Sequence, residues 1–282
     1  MAVQNTLELP ENSASSGCAA DIPDMSASYD SYISSGLYDR RYPHPNRRTL
    51  RRMTERLPEN GRFLDIGAGT GRYTLPLLQH TGASGVAQDI CPTACRVLAD
   101  RLETYSRDGR VEIHSGDIAT MEEDNLGAFD LAILAFGVLG HVAGRDERVR
   151  LLKSVRSMLK PGGSLVLGLP NARRRFRGEQ RAAAAQVRAG TLEPGDILYT
   201  RGEGAGTIRM FYHLFTCRTA TEELSSAGFR VERMEPESLL AEESAVRRPV
   251  LGRLDAAACG IVSPEYGYGF LMVCRPKATA SR

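Results

Sequence analysis

The chain has 282 residues, 42% of them apolar, and its 36 basic and 34 acidic side chains leave a formal charge of +2. A chain of this size and composition can bury one sizeable core, and the expectation is one domain with elaborations. Near-balanced charge excludes a whole-molecule field of the kind that captures nucleic acid, so any basic binding surface must be local.

Residues 1–25, including Asn12-Ser-Ala-Ser-Ser-Gly17, are rich in small polar residues without apolar periodicity, which predicts a flexible terminus. From Tyr29 to Leu57 a helical pattern is interrupted at Tyr42-Pro-His-Pro45, where prolines break a helix, so segment 26–60 reads as a helical lid with two short helices flanking the break. Short apolar runs then alternate with amphipathic stretches, the signature of a parallel sheet with crossover helices. The predicted strands are Arg62–Ile66, Ser84–Gln88, Arg110–Ser115, Phe129–Ala135 and Gly163–Leu169, with helices at Arg72–His80, Pro92–Ser106 and Arg145–Leu159. Lys160-Pro-Gly-Gly163 supplies a stop and a turn before the fifth strand. Residues 61–170 thus form a core, and residues 171–217 depart from the alternation as an inserted cap. Within that cap, Asp196–Arg201 and Thr207–Leu214 flank Gly202-Glu-Gly-Ala-Gly206 as a hairpin. Residues 218–275 return to the sheet with a helix at Thr219–Ala227 and strands at Arg230–Met234 and Phe270–Val273, and residues 276–282 form a tail.

The six cysteines (Cys18, Cys91, Cys95, Cys217, Cys259, Cys274) lack paired C-x-x-C spacing, and no basic stretch leads into an apolar run at the N-terminus. A reduced cytoplasmic protein without a membrane span is expected. Cys91 and Cys95 share a helix face, but two thiols without a nearby histidine make an incomplete zinc site, so no metal is expected.

The strongest motif is Phe63-Leu-Asp-Ile-Gly-Ala-Gly-Thr-Gly71, an apolar strand running into three alternating glycines before a helix. Glycine lets the backbone approach a ligand closely and adopt positive φ. A nicotinamide or flavin dinucleotide fingerprint requires a third glycine where Arg72 stands. Asp65 also opposes a pyrophosphate, whereas a carboxylate suits a ligand bearing an ammonium and a sulfonium.

On these residues the chain resembles the class I S-adenosylmethionine-dependent methyltransferases, whose first motif is an acidic residue followed by alternate glycines. The resemblance covers Arg62 to Leu169 and continues more loosely to Val273. It implies an α/β, doubly wound, mostly parallel seven-stranded sheet of Rossmann-like methyltransferase fold, here with a helical lid and an inserted cap. It further implies that Asp65 contacts the amino-acid end of S-adenosyl-L-methionine, while Gly67, Ala68, Gly69 and Gly71 cradle its methionine and ribose. Asp89, with Ile90 beside it, accepts from the ribose hydroxyls; a helix N-cap is the competing role for Asp89. Asp117 accepts from the adenine amino group with Ile118 packed on the ring, unless Asp117 is an ordinary turn aspartate. Phe136 opens the loop facing the acceptor.

An electrophilic methyl group leaves the protein chiefly to align a nucleophile and exclude water, with a base optional. His141 and His213 are the candidate bases, each with a packing role as its alternative, and His44 joins them only if the lid reaches the site. Tyr32, Tyr38 and Tyr42 recur in the lid, where aromatic faces attract a cation or simply pack; Tyr38 and Tyr212 are candidate acceptor contacts. Arg173-Arg-Arg-Phe-Arg177, with Arg181, is either an anion grip led by Arg173 and Arg177 or a solvated basic face. The expected reaction is methylation of O or N on a small, possibly anionic acceptor of secondary metabolism, because a cap encloses a small molecule. A tRNA-modifying methyltransferase, motivated by the arginines and by Phe211–Thr216, and a non-catalytic S-adenosylmethionine-binding partner protein are the alternatives. A monomer or homodimer is expected, with nucleic acid the disfavoured partner.

Overall fold

The computed structural model describes residues 21–118, 121, 128–202 and 206–278. The expected flexible terminus up to residue 20, residues 203–205 of the hairpin turn and residues 279–282 of the tail lie outside the described residues. Among the described residues nine strands occur: β1 (Arg62–Ile66), β2 (Ser84–Asp89), β3 (Val111–Ser115), β4 (Phe129–Leu134), β5 (Leu159–Pro170), β6 (Asp196–Arg201), β7 (Ile208–His213), β8 (Phe229–Ser238) and β9 (Gly269–Pro276). Seven of them form one sheet in the order β3-β2-β1-β4-β5-β9-β8, while β6 and β7 pair as a separate antiparallel ribbon. Strands β3 to β5 are mutually parallel and β9 runs antiparallel to both of its neighbours.

A parallel sheet covered on both faces requires nearly continuous apolar strands. Leu131, Ala132, Ile133 and Leu134 of β4 and Leu165, Val166 and Leu167 of β5 are accordingly all buried. One face packs against α6 (Arg145–Ser157) and α8 (Cys217–Ser226) through Leu152, Val155 and Leu224. The other packs against α3 (Arg47–Arg56), α4 (Thr74–His80) and α5 (Pro92–Arg107) through Met53, Leu77, Leu98 and Leu102. The chain leaves β1 in one direction through β2 and β3 and returns to β4 on its other side, so a crevice opens at the carboxyl ends of β1 and β4.

Above that crevice, α1 (Met25–Ser34) and α2 (Leu37–Arg41) meet the β6–β7 ribbon in a third apolar cluster that includes Met25, Tyr32, Tyr38, Phe211 and Tyr212. The Ser28 hydroxyl donates to the Arg209 carbonyl at 2.8 Å, and the Phe211 N–H reaches the Met25 sulfur at 3.4 Å. Lid and cap are thereby stitched together over the strand ends.

Several elements differ from the sequence expectation. The lid contains three helices, with the Tyr42–Pro45 break between α2 and α3, and Asn46 caps α3 by accepting from the Arg48 and Thr49 N–H groups. Lys160–Gly163 does not end the element before β5; it lies inside that strand, where the register opposite jumps from Phe129↔Leu159 to Leu131↔Ser164 and Gly162 takes φ 84°. The irregularity absorbs the proline without stopping the strand. The cap also carries α7 (Arg177–Arg188), and the stretch after β8 holds α9 (Glu242–Arg247) and α10 (Pro249–Ala258). Among the described residues, no helix is long and apolar enough to cross a membrane.

Candidate active site

A cavity of about 330 Å³ sits in the crevice, with Gly67, Gly69, Gln88, Asp89, Ile118 and Phe136 among its walls. Gly67, Gly69 and Gly71 have φ of 66°, 58° and 86°, the left-handed region that a side chain disfavours. At Gly67 a Cβ would also stand 2.6 Å from the Val138 side chain, so the turn can pass under the loop after β4 only as glycine.

Asp89 at the end of β2 is the best-prepared polar group. Its Oδ2 accepts from the Gly69 N–H at 2.8 Å and its Oδ1 from the Cys91 N–H at 2.8 Å. Burial raises its pKa, and these backbone donors pull it back. Each oxygen keeps a lone pair, so a rigid carboxylate at the cavity wall suits a vicinal diol. The cap role weighed for Asp89 falls instead to Cys91, the N-cap residue of α5, whose sulfur accepts from the Ala94 N–H at 3.4 Å. Ile90, Asp117 and Ile118 also line the cavity, Ile118 buried and the other two exposed.

Asp65 departs from the expectation. Its side chain is buried beneath the glycine turn, away from the cavity wall, where it accepts the Thr74 hydroxyl at 2.6 Å. Burial pushes its carboxyl up to about 7 against that hydrogen bond, because desolvation of a charged carboxylate outweighs one donor. Ala68 and Gly71 likewise support the turn from below: the Ala68 N–H donates to the Gln88 carbonyl, and a Cβ on Gly71 would meet Leu98 at 2.9 Å. Gln88, missed in the sequence, ties the site together by accepting from the Gly67 N–H at 3.3 Å and donating to the Gly116 carbonyl. Its place one residue before Asp89 on a buried strand was the available signal.

Tyr29, Tyr38, Phe136 and His141 give the cavity an aromatic side. Tyr38 lines the cavity over the glycine turn, its hydroxyl 3.6 Å from where a Gly69 Cβ would be. Tyr42 packs edge-on to Phe136 at 4.5 Å, and Phe136 takes a left-handed φ of 59°. Arg72, at the position that excluded a dinucleotide turn, is buried and pairs with Glu242 at 2.7 Å while donating to the His44 carbonyl at 2.8 Å. His44 itself lines a separate pocket of about 210 Å³ away from the crevice.

His141 lines the cavity with both ring nitrogens engaged, Nδ1 with the Phe211 carbonyl at 2.9 Å and Nε2 with the Tyr29 hydroxyl at 2.7 Å. A carbonyl can only accept, so Nδ1 carries the proton and Nε2 accepts from Tyr29. Burial lowers its pKa to about 4, with the Phe211 carbonyl opposing and Arg175 and Arg201 adding to the fall. The ring is a neutral latch between lid, loop and cap, and its basic lone pair is already used. His213 is farther from the chemistry: it is buried at the root of the ribbon, held by Asp196 at 2.6 Å and packed on Phe215. Glu193, Asp196 and His213 have ligand atoms within 4.8 Å of one another, but the Arg148 guanidinium stands 2.9 Å from Glu193 and repels a metal cation there.

Tyr212 stacks on His141 at 4.4 Å and presses its hydroxyl against Gly137. The two arginines expected to grip an anion point elsewhere. Arg173 is exposed and paired with Glu265 at 2.5 Å, and Arg177 opens α7 at the surface. Arg175 between them turns inward, its guanidinium 5.4 Å from the Tyr212 ring.

A family model for the methyltransferase domain matches residues 38–233. The chain is 33% identical over 111 residues to the cypemycin N-terminal methyltransferase of a Streptomyces species, covering 39% of this chain and 42% of that one. It is 30% identical over 168 residues to the ubiquinone/menaquinone biosynthesis C-methyltransferase UbiE of Azotobacter vinelandii, covering 56% of this chain and 60% of that one. Its fold is similar to the CcbJ methyltransferase from Streptomyces caelestis, with TM-score 0.58 and 16% identity over 83% of this chain and 91% of that chain. The chain spans 60% or less of the length of the first curated relatives it matches.

Proposed function

The chain belongs to the methyltransferase-domain family of S-adenosylmethionine-dependent enzymes, and from that membership we propose that it methylates an O or N atom of a small-molecule acceptor in biosynthetic metabolism. The observation that carries the reading is Asp89, fixed by two backbone N–H groups at the wall of a glycine-floored cavity whose lining includes Met25, Tyr29 and Tyr38 of the N-terminal helices. The residues fit the donor: Gly67 and Gly69 clear space for it, Asp89 takes a diol, and the faces of Tyr38 and Phe136 suit a sulfonium. When bound, S-adenosylmethionine supplies an electrophilic methyl group. The chain's own residues hold donor and acceptor in line and exclude water.

His141 favours O or N over unactivated carbon. A neutral imidazole whose lone pair is occupied by Tyr29 cannot deprotonate a weak carbon acid, so the acceptor must bring a nucleophile of its own, such as an amine or an ionised oxygen. A stitched roof favours a small acceptor over a polynucleotide, and Arg173 spends its charge on Glu265. The test is calorimetry with S-adenosylmethionine and S-adenosylhomocysteine, followed by transfer of labelled methyl from S-adenosylmethionine to a library of small amines, phenols and acids. Micromolar donor binding with transfer to a small acceptor is expected. Donor binding without transfer to any acceptor would favour a non-catalytic binding protein, and transfer to tRNA alone would favour the nucleic-acid alternative.

A further inference from the structure

Arg175 is the one arginine of its cluster that the fold turns away from solvent. Arg173, Arg174 and Arg177 are exposed, and Arg174 donates to the Tyr266 carbonyl at 2.7 Å. The inward turn occurs at Phe176, whose φ of 53° makes it, with Phe136, one of two non-glycine residues of positive φ among the described residues. Backbone strain of this kind gathers at ligand sites. Phe136 lines the crevice cavity, and Phe176 packs on Tyr199 and Tyr212 of the ribbon.

The guanidinium meets ring faces: Tyr268 at 4.8 Å, Phe176 at 5.1 Å and Tyr212 at 5.4 Å. Among the described residues no carboxylate lies within ion-pair distance of it, the buried Glu237 acting on it only through space, and its enclosed Nε makes no hydrogen bond. Ring faces attract the charge but do not accept the N–H groups that radiate in the guanidinium plane. Arg201, at the end of β6, flanks the same phenylalanine at 5.8 Å and lies 4.8 Å from the Tyr199 ring, also without a carboxylate partner among the described residues. On the lid side, the buried Tyr32 hydroxyl has no partner either. The rings between these groups form a continuous wall from Tyr42 through Tyr38, Tyr32, Tyr29 and His141 to Tyr212, with successive centroids 4.4 to 6.3 Å apart. Two cations and an orphan hydroxyl gathered among aromatic rings, most of them meeting edge to face, are complementary to an anion.

We propose that Arg175, assisted by Arg201 and the Tyr32 hydroxyl, binds a carboxylate carried by the methyl acceptor, which is therefore a carboxylic acid. The assignment rests on the methyl-transfer reading of the site and names its substrate class. The planar guanidinium fork matches a carboxylate in two parallel hydrogen bonds, which a lysine at the same place would not reproduce. Arg175 acts here as a specificity residue and transfers no proton.

The experiment is calorimetry on the full chain saturated with S-adenosylhomocysteine, titrated with benzoate, phenylacetate and indole-3-acetate and with their primary amides. The wild type is expected to bind at least one acid at least tenfold more tightly than its amide, an effect of about 1.4 kcal/mol. Arg175→Met is expected to abolish that preference while leaving S-adenosylhomocysteine affinity within about twofold, Arg175→Lys to restore it in part, and Arg201→Met to weaken it. Arg188→Met, on the exposed end of α7, changes nothing. Equal binding of acids and amides, no binding of any acid, or a preference that survives both Arg175→Met and Arg201→Met overturns the anchor. Failure of the wild type to bind S-adenosylhomocysteine refutes the donor site instead, and the anchor falls with it.

Discussion

Asp89→Ala tests the donor site most directly. The side chain holds the Gly69 and Cys91 N–H groups at 2.8 Å each and presents its remaining lone pairs to the cavity. Hydrogen bonds to a charged group contribute about 1.5–3 kcal/mol each, so losing two to a ribose diol, with water recovering part, predicts a deficit of roughly 2.7 kcal/mol. That is about a hundredfold in dissociation constant, read by calorimetry with S-adenosylhomocysteine. Two buried N–H groups also lose their acceptor, and a fall in unfolding free energy of about 2 kcal/mol should accompany the substitution. The ribose contact is isolated by repeating the titrations with 2′-deoxy-S-adenosylhomocysteine: the analogue should bind the wild type more weakly yet lose little more against the variant. Additive losses, or a folded variant within threefold of wild-type affinity, would refute the role assigned to Asp89.

Gly67→Ala forces a left-handed alanine and a Cβ 2.6 Å from Val138, so donor affinity should fall more than tenfold (~1.4 kcal/mol), with Val138→Ala restoring part of it; equal affinity of all three proteins would contradict the close-passage argument. His141 should stay neutral with its proton on Nδ1 down to about pH 5, and nitrogen NMR of the ring would expose the error if it titrated near 6.5. The carboxyls of Asp65 and Glu237 are each pushed up to about 7, both mainly by burial. Because the native state then binds protons that the unfolded chain has released, stability should fall as pH rises from about 4 to about 7 and change little above that from these groups. Glu237→Gln should flatten the slope in urea titrations, and an unchanged slope would remove Glu237 from the account.

Much of this was legible because periodicity reports burial. The five parallel strands are short apolar runs bounded by glycines and helix starts, and β1 and β6 have the boundaries read from the chain. Asp89 was legible as a carboxylate closing an apolar strand just before a helix start, and the structure places it at the cavity wall. What escaped detection depended on direction. Asp65 looked like a ligand contact because strand position does not say which way a carboxylate points, and here Thr74 draws it beneath the turn. The arginine run gave charge without orientation, and only a left-handed Phe176 separates Arg175 from its solvated neighbours. Helix α7 begins with arginines and continues through Ala182–Ala185, strong helix formers, but its single fully buried position, Ala183, leaves almost no apolar stripe to detect. Helices α9 and α10 had the same weakness, since exposed Val250 and Leu254 blur the face that marks a core.

Tyr212 couples the β6–β7 ribbon to the loop after β4. Its ring fills the space a Cβ would need at Gly140, where the nearest ring carbon would lie 2.6 Å away, and its hydroxyl does the same at Gly137. Two glycines of the loop and one tyrosine of the ribbon therefore form a single lock: no side chain can enter at 137 or 140 while Tyr212 stands. Shortening the ribbon, or grafting another cap onto this core, would leave that loop without the surface it was shaped against, so the two segments can be exchanged only as a matched pair.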